Sequence, residues 1–129
     1  MLTVHHLNNS RSQRILFLCE ELEISYDIVK HQRDAETQRS PDSLNQVHPL
    51  GKAPTIEHDG KLIVESDAII EYICNKLGGG RLSRSSDSPD YADYLQWSAY
   101  SEGTLFPGLI VDLLYAWTGG GNDTLMGFF

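Results

Sequence analysis

The sequence predicts an α/β protein: a mixed sheet built in the order β-α-β-α-β-β-α, followed by the start of an all-α domain. Three observations carry this. Over the first 77 residues, strand-like apolar runs alternate with helical apolar faces. Residues 51 to 66 hold a Pro-led strand, an Asp59-Gly60 turn and a helix start in direct succession. From Tyr91 onward the apolar period is helical.

The elements follow in order. Residues 2 to 7 are β-branched and apolar and read as a strand; Asn8-Asn9-Ser10-Arg11 is a polar loop. Ile15, Leu18, Cys19 and Leu22 then fall on one helical face, with Glu20, Glu21 and Glu23 on the other, which predicts a helix from Ser12 to Glu23. Residues 25 to 31 predict a second strand. Ser40-Pro41-Asp42 predicts a helix start, with Ser40 as cap and Pro41 as the first helical residue, and His48-Pro49 ends that helix. Pro54 cannot donate a ladder hydrogen bond, so it is expected at the start of an edge strand or in a turn, where a cis peptide is admissible. Thr55–His58 and Lys61–Val64 flank Asp59-Gly60, the dipeptide a two-residue type I′ turn favours. Ser66 predicts the cap of a helix that buries Ile70, Ile73, Cys74 and Leu77, with Gly78 past its end.

These features divide the chain into residues 1–77, a Gly/Ser-rich linker over 78–89, and an incomplete all-helical domain over 90–129. Pro107 is expected to kink or break the last helical run. The run's wide apolar face needs further helices to cover it, so residues 90–129 read as the opening of a helical domain that is cut short, ending in a glycine-rich tail with two aromatics.

Composition narrows the function. The formal net charge is -8 and no basic stripe is present, which argues against a nucleic-acid partner. Cys19 and Cys74 each fall on an apolar helical stripe and read as small buried hydrophobes, not as a disulfide framework. A reduced, cytoplasmic setting fits, and neither a signal peptide nor a membrane span is expected. His5, His6, His31, His48 and His58 show no metal-ligand spacing, so no metal is expected; His5 and His6 point to opposite faces of a strand.

The candidate site residues lie at element ends. Ser10 precedes a helix start, where an anion such as a thiolate is stabilised by backbone N–H groups and the helix dipole. The same residue also reads as a plain N-cap serine. No His or Asp spacing beside Ser10 supports a hydrolase triad. Glu65 and Ser66 offer a carboxylate, a hydroxyl and helix N–H groups, a set that can hold both ends of an α-amino acid, or can simply cap a helix. Lys52 can pair a carboxylate or stand as a solvated lysine. Ala53 offers backbone to an extended ligand.

Together, the Ser10-Arg11-Ser12-Gln13-Arg14 loop, the run from His48 to Pro54 and Glu65-Ser66-Asp67-Ala68-Ile69 resemble the thioredoxin-like N-terminal domain of cytosolic glutathione transferases, in the bacterial and fungal serine-type branch. The resemblance covers residues 1 to 77 and extends to Tyr100–Pro107, similar to the first long helix of that family's C-terminal domain. It implies glutathione as cosubstrate, with no separate cofactor, and attack of its thiolate on a small hydrophobic electrophile. It implies Ser10 as the catalytic residue at the sulfur, the Ala53 backbone before a cis-Pro54 along the cysteinyl part, Glu65 and Ser66 at the γ-glutamyl end, and Lys52 at the glycyl carboxylate. A homodimer with a role in detoxification is implied as well. Gln13 stands where a CxxC motif has its second cysteine, so dithiol redox chemistry is not expected. Two other functions are compatible with the same first half: a transferase-like protein-interaction module without turnover, and a glutathione-dependent isomerase or dehalogenase.

Overall fold

The computed structural model describes residues 1–117. The chain divides into two compact units, one spanning Met1–Ser83 and a second beginning at Arg84. The division falls inside the expected linker. Residues 78–83, however, belong to the first unit: Ser83 is buried and its hydroxyl meets Asn75 Oδ1, while the Arg81 guanidinium donates to the Leu22 and Gly78 carbonyls.

The first unit contains β1 (Leu2–Leu7), α1 (Ser12–Glu21), β2 (Tyr26–His31), α2 (Asp42–Val47), β3 (Thr55–His58), β4 (Lys61–Val64) and α3 (Ser66–Tyr72), which runs on as a π-helical turn over Ile73–Leu77. The strands form one sheet in the order β2-β1-β3-β4. β1 runs parallel to β2 and antiparallel to β3, and β3 runs antiparallel to β4. Pro54 therefore leads into an interior strand, not an edge strand. Its missing N–H costs the ladder nothing because it stands before the first paired residue, Thr55.

The core lies under α1 and α3. Leu2 and Val4 from β1, Ile15, Leu18, Cys19 and Leu22 from the α1 region, Ile56 from β3, and Ile69, Ile73 and Cys74 form one buried cluster. The hairpin has the expected turn: Asp59 (φ +50°) and Gly60 (φ +73°) are both left-handed.

Helix ends depart from expectation where backbone geometry overrules composition. α1 stops at Glu21, because Glu23 takes φ +54° and the Glu23 and Ile24 amides close back on the Glu20 and Cys19 carbonyls, a Schellman arrangement. Pro41 is the N-cap of α2, not its first helical residue. Gly78 ends the third helix with φ -86°, so its role is not left-handed backbone. A Cβ there would lie 2.9 Å from the Cys74 carbonyl oxygen and 3.0 Å from Leu22 Cδ1, so close packing requires the glycine.

In the second unit, α4 (Tyr91–Tyr100) passes through a π-helical turn (Ser101–Leu105) into α5 (Phe106–Trp117). Pro107 does not break the run. It follows directly on the π-helical turn, where the hydrogen-bond ladder is already irregular and a residue without a donor is accommodated. The expected glycine-rich tail lies outside the described residues. No helix among the described residues is long and apolar enough to cross a membrane.

Candidate functional site

The turn between β1 and α1 is held by side chains. Arg33 donates from its backbone N–H to Asn8 Oδ1 (2.8 Å) and from Nε to the Asn8 carbonyl (3.1 Å), with Nη2 on the Asn9 carbonyl (3.3 Å). Beyond this clamp, the half-buried Ser10 donates from its hydroxyl to the Leu7 carbonyl (2.8 Å) and accepts from the Ser12 amide (3.2 Å). It thus satisfies one of the orphan donors at the helix start. By the helix bounds the N-cap is Arg11, which makes no side-chain capping bond.

Ser12 is fully buried beneath this turn. Its hydroxyl accepts from the Leu7 amide (3.1 Å) and lies 2.7 Å from Ser10 Oγ and 2.9 Å from His6 Nδ1. Ser10 thus reaches a histidine through Ser12 and not directly, a link that triad spacing does not address. His6 is too near in sequence for a triad-like spacing, yet the turn folds back and Ser12 links the two. The signal for this was the alternation of β1, which turns His6 away from His5 and toward the α1 face.

At the same end of the sheet, since β4 runs parallel to β1 on the far side of β3, β4 enters α3 through Glu65, which takes φ +73° and ψ +124°. That conformation is rare for a residue with a Cβ and costs about 1–3 kcal/mol. Ser66 is the first helical residue and is buried, so the expected Ser66 cap is corrected: the N-cap position is Glu65, with no side-chain capping bond. The Ala53–Pro54 peptide is cis. Thr55 anchors the loop before it by donating its hydroxyl to the Lys52 carbonyl (2.8 Å). Gly51 (φ +56°) brings the loop so close to Asn45 that any Cβ would collide with its side chain.

Lys52, Ala53, Pro54, Glu65 and Ser66 line one open hollow, with Leu50 and Val64 as apolar wall. Residues from two loops, separated by the hairpin, meet there. Ser10 is not among the lining residues; its neighbour Arg11 is. Arg11 was missed by sequence reasoning, which weighed hydroxyls at the helix start and passed over the cation between them. The hollow thus presents two cations, one carboxylate, a buried serine and loop backbone. It suits an extended zwitterionic ligand that carries more than one carboxylate.

Other titratable groups stand apart from it. Burial, reinforced by Glu20, pushes the Cys19 thiol up to about 11, and burial followed by Glu71 raises Cys74. Both therefore stay protonated and inert. His5 and His31 are buried together, His5 Nδ1 3.1 Å from His31 Nε2, with Ser43 Oγ 2.8 Å from His31 Nδ1. No cluster of three or more His, Cys, Asp or Glu side chains suited to a metal ion occurs among the described residues.

The glutathione S-transferase N-terminal domain family matches residues 1–75. The chain belongs to the glutathione S-transferase family. It is 36% identical to glutathione S-transferase 3 of Schizosaccharomyces pombe, over 83% of this chain and 43% of that one. It is 33% identical to glutathione S-transferase 1 of Saccharomyces cerevisiae, over 88% of this chain and 51% of that one. Among solved structures, a glutathione S-transferase from Actinobacillus pleuropneumoniae superposes with a TM-score of 0.81 at 29% identity, covering 90% of this chain and 54% of the other. The chain thus spans about half the length of the transferases it matches. Within the family match lie both the β1–α1 turn and the hollow.

Proposed function

We propose that this chain binds glutathione in the hollow and serves a glutathione transferase reaction, in which the thiolate attacks a small hydrophobic electrophile. The observation that carries this is the convergence of Lys52, Ala53, Pro54, Glu65 and Ser66 on one hollow inside the stretch that matches the family domain. In this reading Glu65 and Ser66 take the γ-glutamyl end through its ammonium and carboxylate, and the Ala53 backbone pairs with the cysteinyl unit as an added strand. Lys52 and Arg11 attract the remaining carboxylate. Ser10 contacts the sulfur, so its hydroxyl leaves the Leu7 carbonyl and donates to the thiolate. A thiolate so held is a better nucleophile at neutral pH than the free thiol.

The helical unit is read as the opening of the domain that receives the electrophile. A homodimer, a cytoplasmic setting and a detoxifying role are proposed on the same family grounds. The test is calorimetric titration of the chain with glutathione, beside Glu65→Ala and Ser10→Ala, followed by conjugation to an electron-poor aryl halide. Saturable binding that weakens at least about tenfold in Glu65→Ala, a loss of roughly 1.4 kcal/mol, supports the site. Equal binding by the unaltered chain and Glu65→Ala removes it.

A further inference from the structure

Ser10 Oγ, Ser12 Oγ and His6 Nδ1 form a continuous chain, with 2.7 Å and 2.9 Å between successive atoms. Each serine has one proton to give. The Leu7 amide already fills one acceptor site of Ser12, and the Ser12 proton can go to Ser10, to His6 or to the Leu7 carbonyl at 3.2 Å. Two neutral arrangements are self-consistent. In one, His6 donates from Nδ1 to Ser12, Ser12 donates to Ser10, and Ser10 donates outward, here to the Leu7 carbonyl. In the other, the ring proton is on Nε2, Ser10 donates to Ser12, and Ser12 donates to His6 Nδ1. The second arrangement leaves Ser10 Oγ with acceptor capacity for an incoming proton.

We infer that Ser12 and His6 are positioning residues that carry the thiol proton away from a glutathione at Ser10. This rests on the proposed contact between Ser10 and the sulfur. The step balances along the chain. The S–H proton passes to Ser10 Oγ, the Ser10 proton to Ser12 Oγ, and the Ser12 proton to His6 Nδ1. No covalent bond between heavy atoms changes. The products are a thiolate and an imidazolium, and every hydroxyl now donates toward the sulfur, the orientation that stabilises it. Imidazole suits the end of such a chain because its class changes charge between about pH 5 and 8. Lys30 on β2 stands opposite His6 in register, and Ser12 is the group that meets it from α1.

The experiment follows the ultraviolet absorbance of glutathione thiolate bound to the full chain as pH is raised, with glutathione affinity measured separately. His6→Gln keeps a hydrogen-bonding side chain beside Ser12 but cannot take a proton, so a merely structural role survives it. We expect unchanged glutathione affinity at a pH well below the midpoint, where the thiol form binds, and a thiolate midpoint raised by about one pH unit, a roughly tenfold loss of thiolate near neutrality. Ser12→Ala gives the same shift if it folds, as judged by circular dichroism; if it does not fold, His6→Gln alone decides. A His6→Gln midpoint equal to the wild type, with Ser10→Ala still shifted, overturns the relay and leaves the sulfur contact standing. Absence of glutathione binding, or a Ser10→Ala midpoint equal to the wild type, overturns both.

Discussion

The sheet unit and the helical unit solve the problem of burial differently. In the first, one cluster from two helices and two strands reaches zero exposure at Val4, Ile15, Cys19, Ile56, Ile69, Ile73 and Cys74. In the second, Gly108 is the one buried position among the described residues, while Leu95, Leu109, Leu113 and Trp117 remain exposed. A sheet covered by two helices encloses a core by itself. A single helical run has no second layer of its own, so its apolar residues can form a face without forming an interior. Apolar periodicity alone therefore does not create a core; a second layer does.

The two units also carry separate probes, since both cysteines lie in the sheet unit and both tryptophans in the helical one. The largest expected effect comes from Ile56→Ala, which should lower stability by about 2–5 kcal/mol. Urea unfolding followed by thiol labelling of Cys19 and Cys74 measures it, and a loss below about 1 kcal/mol would break the claim of a tight core. Next, Gly78→Ala should cost about 1–3 kcal/mol by the same readout, because the added methyl meets backbone that cannot yield.

A pH effect of smaller size should follow from the imidazole pair. Burial lowers the pKa of both His5 and His31, and the charge on His31 lowers His5 further, while Glu57 partly opposes this. A depressed histidine favours the neutral form in the folded state. The unfolded chain therefore binds more protons between the folded values and the ordinary value of about 6.5. Stability from the pair should be complete above about pH 6.5 and decline as pH falls through the folded values. Urea midpoints on either side of that pH check this, and His31→Gln should flatten the acid limb.

The smallest effect belongs to the helical unit. Leu113→Ser should change stability by no more than about 0.5 kcal/mol, because Leu113 is 44% exposed. The emission of Trp97 and Trp117, 63% and 73% exposed, should already be that of a hydrated indole and shift little in urea. A large blue-shifted signal, lost on unfolding, would show that this face is covered in solution and would erase the contrast.

Much of the fold was legible because its signals are local. Asp59-Gly60 specified the turn, since few dipeptides accept two left-handed residues in succession. The apolar spacing from Ile15 to Leu22 named the buried face of α1 before any partner was known. The helix ends were less legible. Glu65 and not Ser66 occupies the cap, because the β4 ladder and the packing of α3 hold Glu65 at a positive φ that its own propensity opposes. The π-helical turn at Ser101–Leu105 likewise leaves no compositional mark apart from the proline that follows it.

Short-range periodicity and turn chemistry were enough to give the order of elements and most of the core, although Ile69 is buried where Ile70 and Leu77 were expected and are only partly covered. Only the tertiary structure decided that Arg11 joins Lys52 and Glu65 at one hollow, and that Ser10, Ser12 and His6 stand in line. Such contacts depend on where the sheet sets the ends of separate elements, and no spacing along the chain encodes that distance.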